Sequence, residues 1–375
     1  MEEIGMNQML QTCVEDPKVL DVKDIDYIEI YTGNAKQSAF YYSKMYGFQI
    51  TGYSGLETGN REFSSYFLEQ ADARLIVTSP YSAEHSIAEF INKRGDGVRD
   101  IALLVDDVDK AYNDALQNGA IGMTEPYEQN DERGIIKKAV LKTFGETIHT
   151  LVERKNYEGV LLPGYKSINH KVANNNGIVR FDHLAICVEN MQEWISYYEK
   201  VLGFSMVKQF HKDEISSKAS ALMTKVLQNG TERIKLAVIE PAEGKKKSQI
   251  QEFIEYNKGA GVQHIAVLTE DILKTVETLQ NNGAEFLYTP DTYYEMLPSR
   301  VGEIDESIEM LRKLKVLVDR DEEGYLLQIF AQPIQDRPTL FFEVIQRKGS
   351  RGFGNGNIKA LFESVEREQA LRGNL

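Results

Sequence analysis

Apolar positions along this chain switch repeatedly between a period of two and a period near 3.6. Residues 25–30 alternate and predict a strand. Residues 34–46 place Ala35, Ala39, Tyr42 and Met45 at helical spacing, and Gly47 closes that helix as the residue best suited to a left-handed end. Further strands are predicted at 64–70, 74–78, 100–105, 138–142 and 147–153, and further helices at 82–93 and 108–118. A polar stretch over 155–178, with Gly159, Pro163, Gly164, three consecutive asparagines at 174–176 and Gly177, then interrupts the pattern. Beyond it lie three short apolar runs with strand character, 181–184, 261–265 and 340–344. Each holds one residue out of keeping with its neighbours: His183, His264 and Glu343. A helical insertion near 303–313 and an amphipathic tail at 357–371 complete the series. The unit is strand, helix, then strands. Two such units per module predict an α+β fold whose mixed sheet curls around a site.

The chain also repeats itself. Asp26, Tyr41-Tyr42 and Gly47-Phe48 recur with identical spacing as Asp182, Tyr197-Tyr198 and Gly203-Phe204. Residues 95–120 recur without a gap as 259–284, and 147–154 match 340–347 more loosely. Self-similarity on this scale means duplicated, domain-sized modules. The expected division is a first module at 1–158, a linker at 159–177 and a second module at 178–375. In the overlay, His183, His264 and Glu343 fall on Tyr27, Asp100 and Thr150. All three candidate ligands therefore belong to one copy. Two histidines and a carboxylate form the set that leaves metal positions open, and it points to non-heme Fe(II). A glutamate in an apolar strand is costly to bury unpaired, which also favours a metal. Phe342, next to Glu343, should point the other way and read as core. His85, His149, His170 and His211 lack the support of the repeat and read as structural.

Composition narrows the partners. Of 375 residues, 42% are hydrophobic and 27% charged, ordinary for a globular chain of two or three domains. The formal charge of -14 argues against nucleic acid and anionic membrane, both of which demand a basic face. The one dense basic run, 245–247, is short and reads as a solvated loop. Cys13 and Cys187 form no paired motif. No apolar run approaches the length of a membrane span, and the acidic N-terminus lacks an apolar leader. A reduced, cytoplasmic enzyme is expected.

Several longer words carry a resemblance: Gly244–Ile250 (GKKKSQI), Gly261–Ala266 (GVQHIA), Gly324–Phe330 (GYLLQIF), Asp336–Phe341 (DRPTLF) and Gly352–Asn357 (GFGNGN). From about residue 24 to 375 the chain resembles the 4-hydroxyphenylpyruvate dioxygenase family. That resemblance implies the vicinal oxygen chelate fold, also called glyoxalase/bleomycin-resistance-like, with two tandem modules of paired βαβββ units and a C-terminal lid helix. It implies Fe(II) on His183, His264 and Glu343 of the second module alone. It implies 4-hydroxyphenylpyruvate and O2 as substrates, and a homodimer. Carried over by motif, Gln249, Gln263 and Gln328 would fix the substrate's polar ends or hold the ligands, and Phe330 and Phe341 would wall its ring.

Three positions depart from the family pattern. The usual asparagine before Glu240-Pro241 is Ile239, the usual phenylalanine after Gly356-Asn357 is Ile358, and Thr224 stands for a serine. Both isoleucines resemble the sister branch, 4-hydroxymandelate synthase. Ile239 cannot hydrogen-bond a phenol, and Ile358 lets the ring tilt. The expectation is therefore oxidative decarboxylation with hydroxylation at the benzylic carbon, giving 4-hydroxymandelate. The alternative is attack on the ring, giving homogentisate as in tyrosine catabolism. A non-catalytic ligand-binding protein of the same fold is the remote alternative. Glyoxalase-type lyases share the fold but use a fourth ligand, which is not apparent.

Overall fold

A computed structural model describes residues 20–170, 176–210, 221–242, 244 and 246–374. Cys13, His211 and Lys245, together with Asn174 and Asn175 of the expected linker, lie outside them.

The first sheet is built from β1 (Val22–Tyr31), β2 (Gln49–Ser54), β3 (Phe63–Gln70), β4 (Ala73–Pro80), β5 (Gly97–Val105), β6 (Gly122–Asp131), β7 (Gly134–Lys142), β8 (Ile148–Tyr157) and β9 (Lys166–His170). The second is built from β10 (Ile178–Cys187), β11 (Ser205–Phe210), β12 (Ala221–Gln228), β13 (Lys235–Ala242), β14 (Gly261–Thr269), β15 (Leu317–Arg320), β16 (Tyr325–Phe330) and β17 (Phe341–Lys348). Strand order is β6-β7-β8-β5-β1-β4-β3-β2-β9 in one and β11-β12-β13-β10-β14-β17-β16-β15 in the other. With one of them reversed the two orders coincide, strand for strand, except for β9. Register coincides too: Glu29 faces Asp100 as Ala185 faces His264, across antiparallel pairs with equivalent irregularities. The duplication seen in the sequence is thus a duplication of curled, half-barrel sheets.

Helices α1 (Ala35–Tyr46), α2 (Ser86–Arg94) and α3 (Val108–Gln117) belong to the first half. Helices α4 (Met191–Lys200), α5 (Gln249–Asn257), α6 (Ile272–Asn281), α7 (Asp291–Glu295), α8 (Leu297–Val301), α9 (Ile308–Leu314) and α10 (Asn355–Leu371) belong to the second. Their starts are set by side-chain caps that the repeat preserves. Asn34 and Asn190 accept from the third backbone N–H of α1 and α4, and Asp107 and Asp271 do the same for α3 and α6.

Three expectations shift. The helix expected over 82–93 begins at Ser86, because His85 caps it through Nδ1. The helix expected over 303–313 begins only at Ile308, as α9, because a separate short helix, α8, ends at Gly302, whose φ is +68°, and the chain is non-helical from there to Ser307. Residues 166–170 of the expected linker form β9, paired with the edge of β2.

The halves join through packed, not merely apposed, surfaces. Phe342 is fully buried against Tyr42 and Tyr46 of α1, with ring centroids 5.7 and 4.9 Å away. Buried Arg94 donates to the carbonyls of Asn257 and Ala260. His149 bridges the Ile101 carbonyl and the Tyr198 hydroxyl at 2.8 and 2.9 Å, a structural histidine as expected. Among the described residues, no helix is long and apolar enough to cross a membrane.

Candidate metal centre

β10, β14 and β17 lie side by side, and their alternation brings three side chains to one face. Ala185 pairs with His264, and Ala266 pairs with Glu343. His183 Nε2 and His264 Nε2 stand 3.3 and 3.4 Å from Glu343 Oε2. One ligand atom from each residue lies within 4.8 Å of the others, and among the described residues this is the one such group. All three are at least 95% buried.

Their outer nitrogens and oxygen are already engaged. His183 Nδ1 is 2.9 Å from Asp182 Oδ1, and His264 Nδ1 is 3.2 Å from Gln263 Oε1. Gln328 donates to Glu343 Oε1 at 2.7 Å. Both Nε2 atoms are left to face inward, the arrangement a metal-binding histidine requires. Charge agrees. Burial pushes the Glu343 carboxyl up, but the imidazoles of His183 and His264 outweigh it and hold the group at about 2. Burial lowers His264 despite the nearby carboxylate. His183 moves upward: burial opposes, and Glu343 and Asp182 prevail. An anionic carboxylate beside two imidazoles whose Nε2 atoms face the same point fits a divalent metal.

A mostly apolar pocket opens beside the triad, with a few polar groups converging on it, as ligand sites usually do. Of the expected substrate residues, Thr224, Ile239, Gln249, Gln263, Gln328, Phe330 and Ile358 all line it. Phe341 does not. It pairs directly opposite His264 and stacks on that ring at 5.0 Å, so it supports the ligand's imidazole. Ile358 and Leu361 bring α10 over the mouth. The sequence reading gave no role to five contributors: Phe353, Asp182, Arg347, Asn357 and Tyr293. Phe353 meets His183 edge-on at 4.9 Å. Arg347 grips Asp182 with two hydrogen bonds of 2.7 and 2.8 Å. Asn357 donates to Gln328 Oε1 at 2.9 Å and accepts from the Tyr293 hydroxyl at 2.8 Å. Asp182 and Arg347 were within reach, since both recur in the repeat as Asp26 and Arg154. Phe353 and Asn357 lay inside the word at 352–357 without being given a role, and Tyr293 carried no local signal.

The corresponding face of the first half is spent on itself. Asp100 accepts from the Thr150 backbone and hydroxyl at 3.0 and 2.6 Å, and from Tyr27 at 3.3 Å. Lys138 faces Val152 as Gln328 faces Ile345, so it holds the place of Gln328. Its ammonium sits 5.8 Å over the Tyr27 ring. Glu29 accepts from Thr78 at 2.5 Å, and the Ser65 hydroxyl links Thr78 to Tyr165 from the segment before β9. Burial raises Glu29 to about 7 and Asp100 to about 6, and lowers Lys138 to about 8.

Paired curled sheets with a two-histidine, one-carboxylate site on the second define a dioxygenase-type member of a large superfamily. The Glyoxalase/Bleomycin resistance protein/Dioxygenase superfamily model matches residues 24–148 and 180–329. The chain is 41% identical over 380 residues to a 4-hydroxyphenylpyruvate dioxygenase of Aspergillus fumigatus, covering 94% of each. It is 41% identical to one of Dictyostelium discoideum, covering 94% of this chain and all of the relative. Among solved structures, a triple mutant of 4-hydroxymandelate synthase from Streptomyces coelicolor superposes with a TM-score of 0.85 at 32% identity, covering 93% of this chain and 99% of that one. The chain belongs to the 4-hydroxyphenylpyruvate dioxygenase/4-hydroxymandelate synthase family of that superfamily. It is a non-heme iron dioxygenase with His183, His264 and Glu343 as its facial triad.

Proposed function

We propose that the protein oxidises 4-hydroxyphenylpyruvate with O2, releases CO2 and forms homogentisate. One oxygen atom enters the new carboxylate and the other the ring, so atoms balance without a further reductant. The observation that carries this reading is identity of about 41% along 94% of the chain to relatives named for that activity. The preference for 4-hydroxymandelate, drawn from Ile239 and Ile358, yields to it as the first reading.

Iron in the triad supplies the activation of dioxygen and a place for the 2-oxo acid to bind. The protein's own part is orientation in a dry, closed pocket. Gln249 presents its amide to the substrate's polar end, Gln263 and Gln328 hold the metal ligands, and Phe330 offers a wall to the ring. Thr224, directly across from Ile239 in the strand pair and in the pocket wall, would offer its hydroxyl to the phenol. The first module is a metal-free scaffold in this reading. A cytoplasmic location rests on the cysteine usage and hydropathy of the sequence, and a homodimer on the resemblance.

The second reading, 4-hydroxymandelate, is favoured by one specific observation: Ile239 and Ile358 both line the pocket. Each removes a constraint on the ring, one a hydrogen bond and the other a flat wall. Incubating Fe(II)-loaded protein with 4-hydroxyphenylpyruvate and oxygen, and identifying the product by chromatography and mass, decides. Homogentisate supports the first reading and 4-hydroxymandelate the second. Absence of oxygen uptake on any aryl-pyruvate would leave a ligand-binding protein.

A further inference from the structure

Two chains of polar contacts leave the metal ligands, and both end at the root of α10. One runs from Glu343 through Gln328 to Asn357, in the first turn of that helix. The other runs from His183 through Asp182 to Arg347. The guanidinium of Arg347 also donates to the carbonyls of Gly352 and Ser350, at 2.7 and 3.3 Å, just before α10 begins. It lies 5.4 Å from the ring of Phe353, the same ring that meets His183 edge-on. Arg347 therefore touches, in one side chain, the carboxylate that orients a metal ligand and the segment that seats the helix over the pocket.

The first module supplies a control. Arg154 grips Asp26 with hydrogen bonds of 2.7 and 2.8 Å, and its remaining nitrogen faces the carbonyls of Gly159 and Leu161 at 3.5 Å. This is the same clamp, at the equivalent residues, holding the chain as it leaves the last shared strand. There is no histidine at Tyr27 for it to orient. Closing the module is thus a role the clamp performs without any metal. What the second module adds is His183 hanging on Asp182, and a helix whose root the arginine holds.

We propose that Arg347 is a positioning residue that ties the seating of α10 to the orientation of His183, so that metal affinity and closure of the helix over the pocket are linked. Linkage of this kind is reciprocal. Bound metal should hold α10 down, and loosening α10 should weaken the metal. The inference rests on the triad and is independent of which product is formed.

The test compares Arg347→Gln with Arg154→Gln in the full-length protein. Metal affinity is read by chelator competition with Fe(II) under anaerobic conditions, and backbone hydrogen exchange is followed along α10 with and without metal. Loss of an outer partner of a metal-binding histidine typically weakens affinity roughly 10-fold or more. R347Q should show that loss together with faster exchange in α10. The parent's α10 should exchange more slowly once metal is added. R154Q should lower the unfolding midpoint yet leave metal affinity within about twofold, since its clamp reaches no ligand. Equal effects of the two variants on metal affinity would overturn the proposal, as would α10 exchange indifferent to metal. Should R347Q fail to fold, Arg347→Lys read against Arg154→Lys decides on the same terms, because lysine keeps the charge and loses the two-pronged grip.

Discussion

Glu29 offers a measurement of how the first module closed its site to metal. Burial raises its carboxyl from 4.5 to about 7, against the lowering effects of the Thr78 hydroxyl, Lys138 and Arg99. At 1.36 kcal/mol for each tenfold, ionising it costs up to about 3 kcal/mol more in the folded protein than in the unfolded chain. The sign follows from proton binding. Between pH 4.5 and 7 the folded state holds more protons at this site than the unfolded state, so stability falls as pH rises through that window. Glu29→Gln keeps an oxygen to accept from Thr78 and removes the charge. Variant and parent should be nearly equal at pH 5, and the variant should gain about 1–3 kcal/mol by pH 8. Urea midpoints for both proteins across that range give the difference directly; groups remote from Glu29 cancel in it, and what remains is Glu29 with its electrostatic neighbours Asp100 and Lys138. A difference that stays constant from pH 5 to 8 would refute the reasoning.

Three further outcomes follow from the contacts. A Cβ on Gly145, whose φ is +57°, would sit 2.2 Å from the Ala260 carbonyl oxygen across the junction of the halves, so Gly145→Ala should cost about 2–4 kcal/mol in thermal denaturation. His149→Phe orphans the Ile101 carbonyl and the Tyr198 hydroxyl and should cost about 2–4 kcal/mol at pH 7–8. Because burial holds the folded imidazole neutral to about 4 while the unfolded one protonates near 6.5, the parent loses stability below pH 6.5 and the gap should narrow there; a gap that widens would count against the assignment. Gln328→Leu removes the donor to Glu343 and the acceptor for Asn357, and should weaken metal binding about 10-fold in a competition titration; unchanged affinity would mark that amide as idle.

Much of the site was legible because the chain carries its own alignment. His183, His264 and Glu343 stand out only against Tyr27, Asp100 and Thr150, and the coinciding registers of the two sheets explain why the comparison works. The same method hid Asp182 and Arg347. A search for differences between copies passes over what both copies share, and the clamp is shared. Lys138 as the counterpart of Gln328 emerges only from strand pairing, since no sequence word aligns β7 with β16. Alternation puts Phe341 on the face of Glu343, but cannot show that its ring packs on that of His264. β9 went unread because an edge strand with one solvated face keeps too few apolar residues, here Ile168 alone, to separate it from a polar linker.

The two modules also show how little of the fold had to differ for one of them to hold iron. Strand order, register, helix caps and the Asp–Arg clamp are common to both, so none of these explains the chemistry. The difference lies on one face. His183, His264 and Glu343 turn their free atoms toward a common point, whereas Tyr27, Asp100 and Thr150 turn theirs toward one another. At the position where Gln328 offers Glu343 an uncharged donor, Lys138 brings a buried cation, and a second cation placed beside it would be repelled. Below that point the same logic continues: Ser65 and Thr78 occupy the pairing positions of Thr224 and Ile239, and the Tyr165 phenol fills the space against Ser65. The first module has answered its own polar groups from within, and the second has left its ligands and pocket to be answered by metal and substrate.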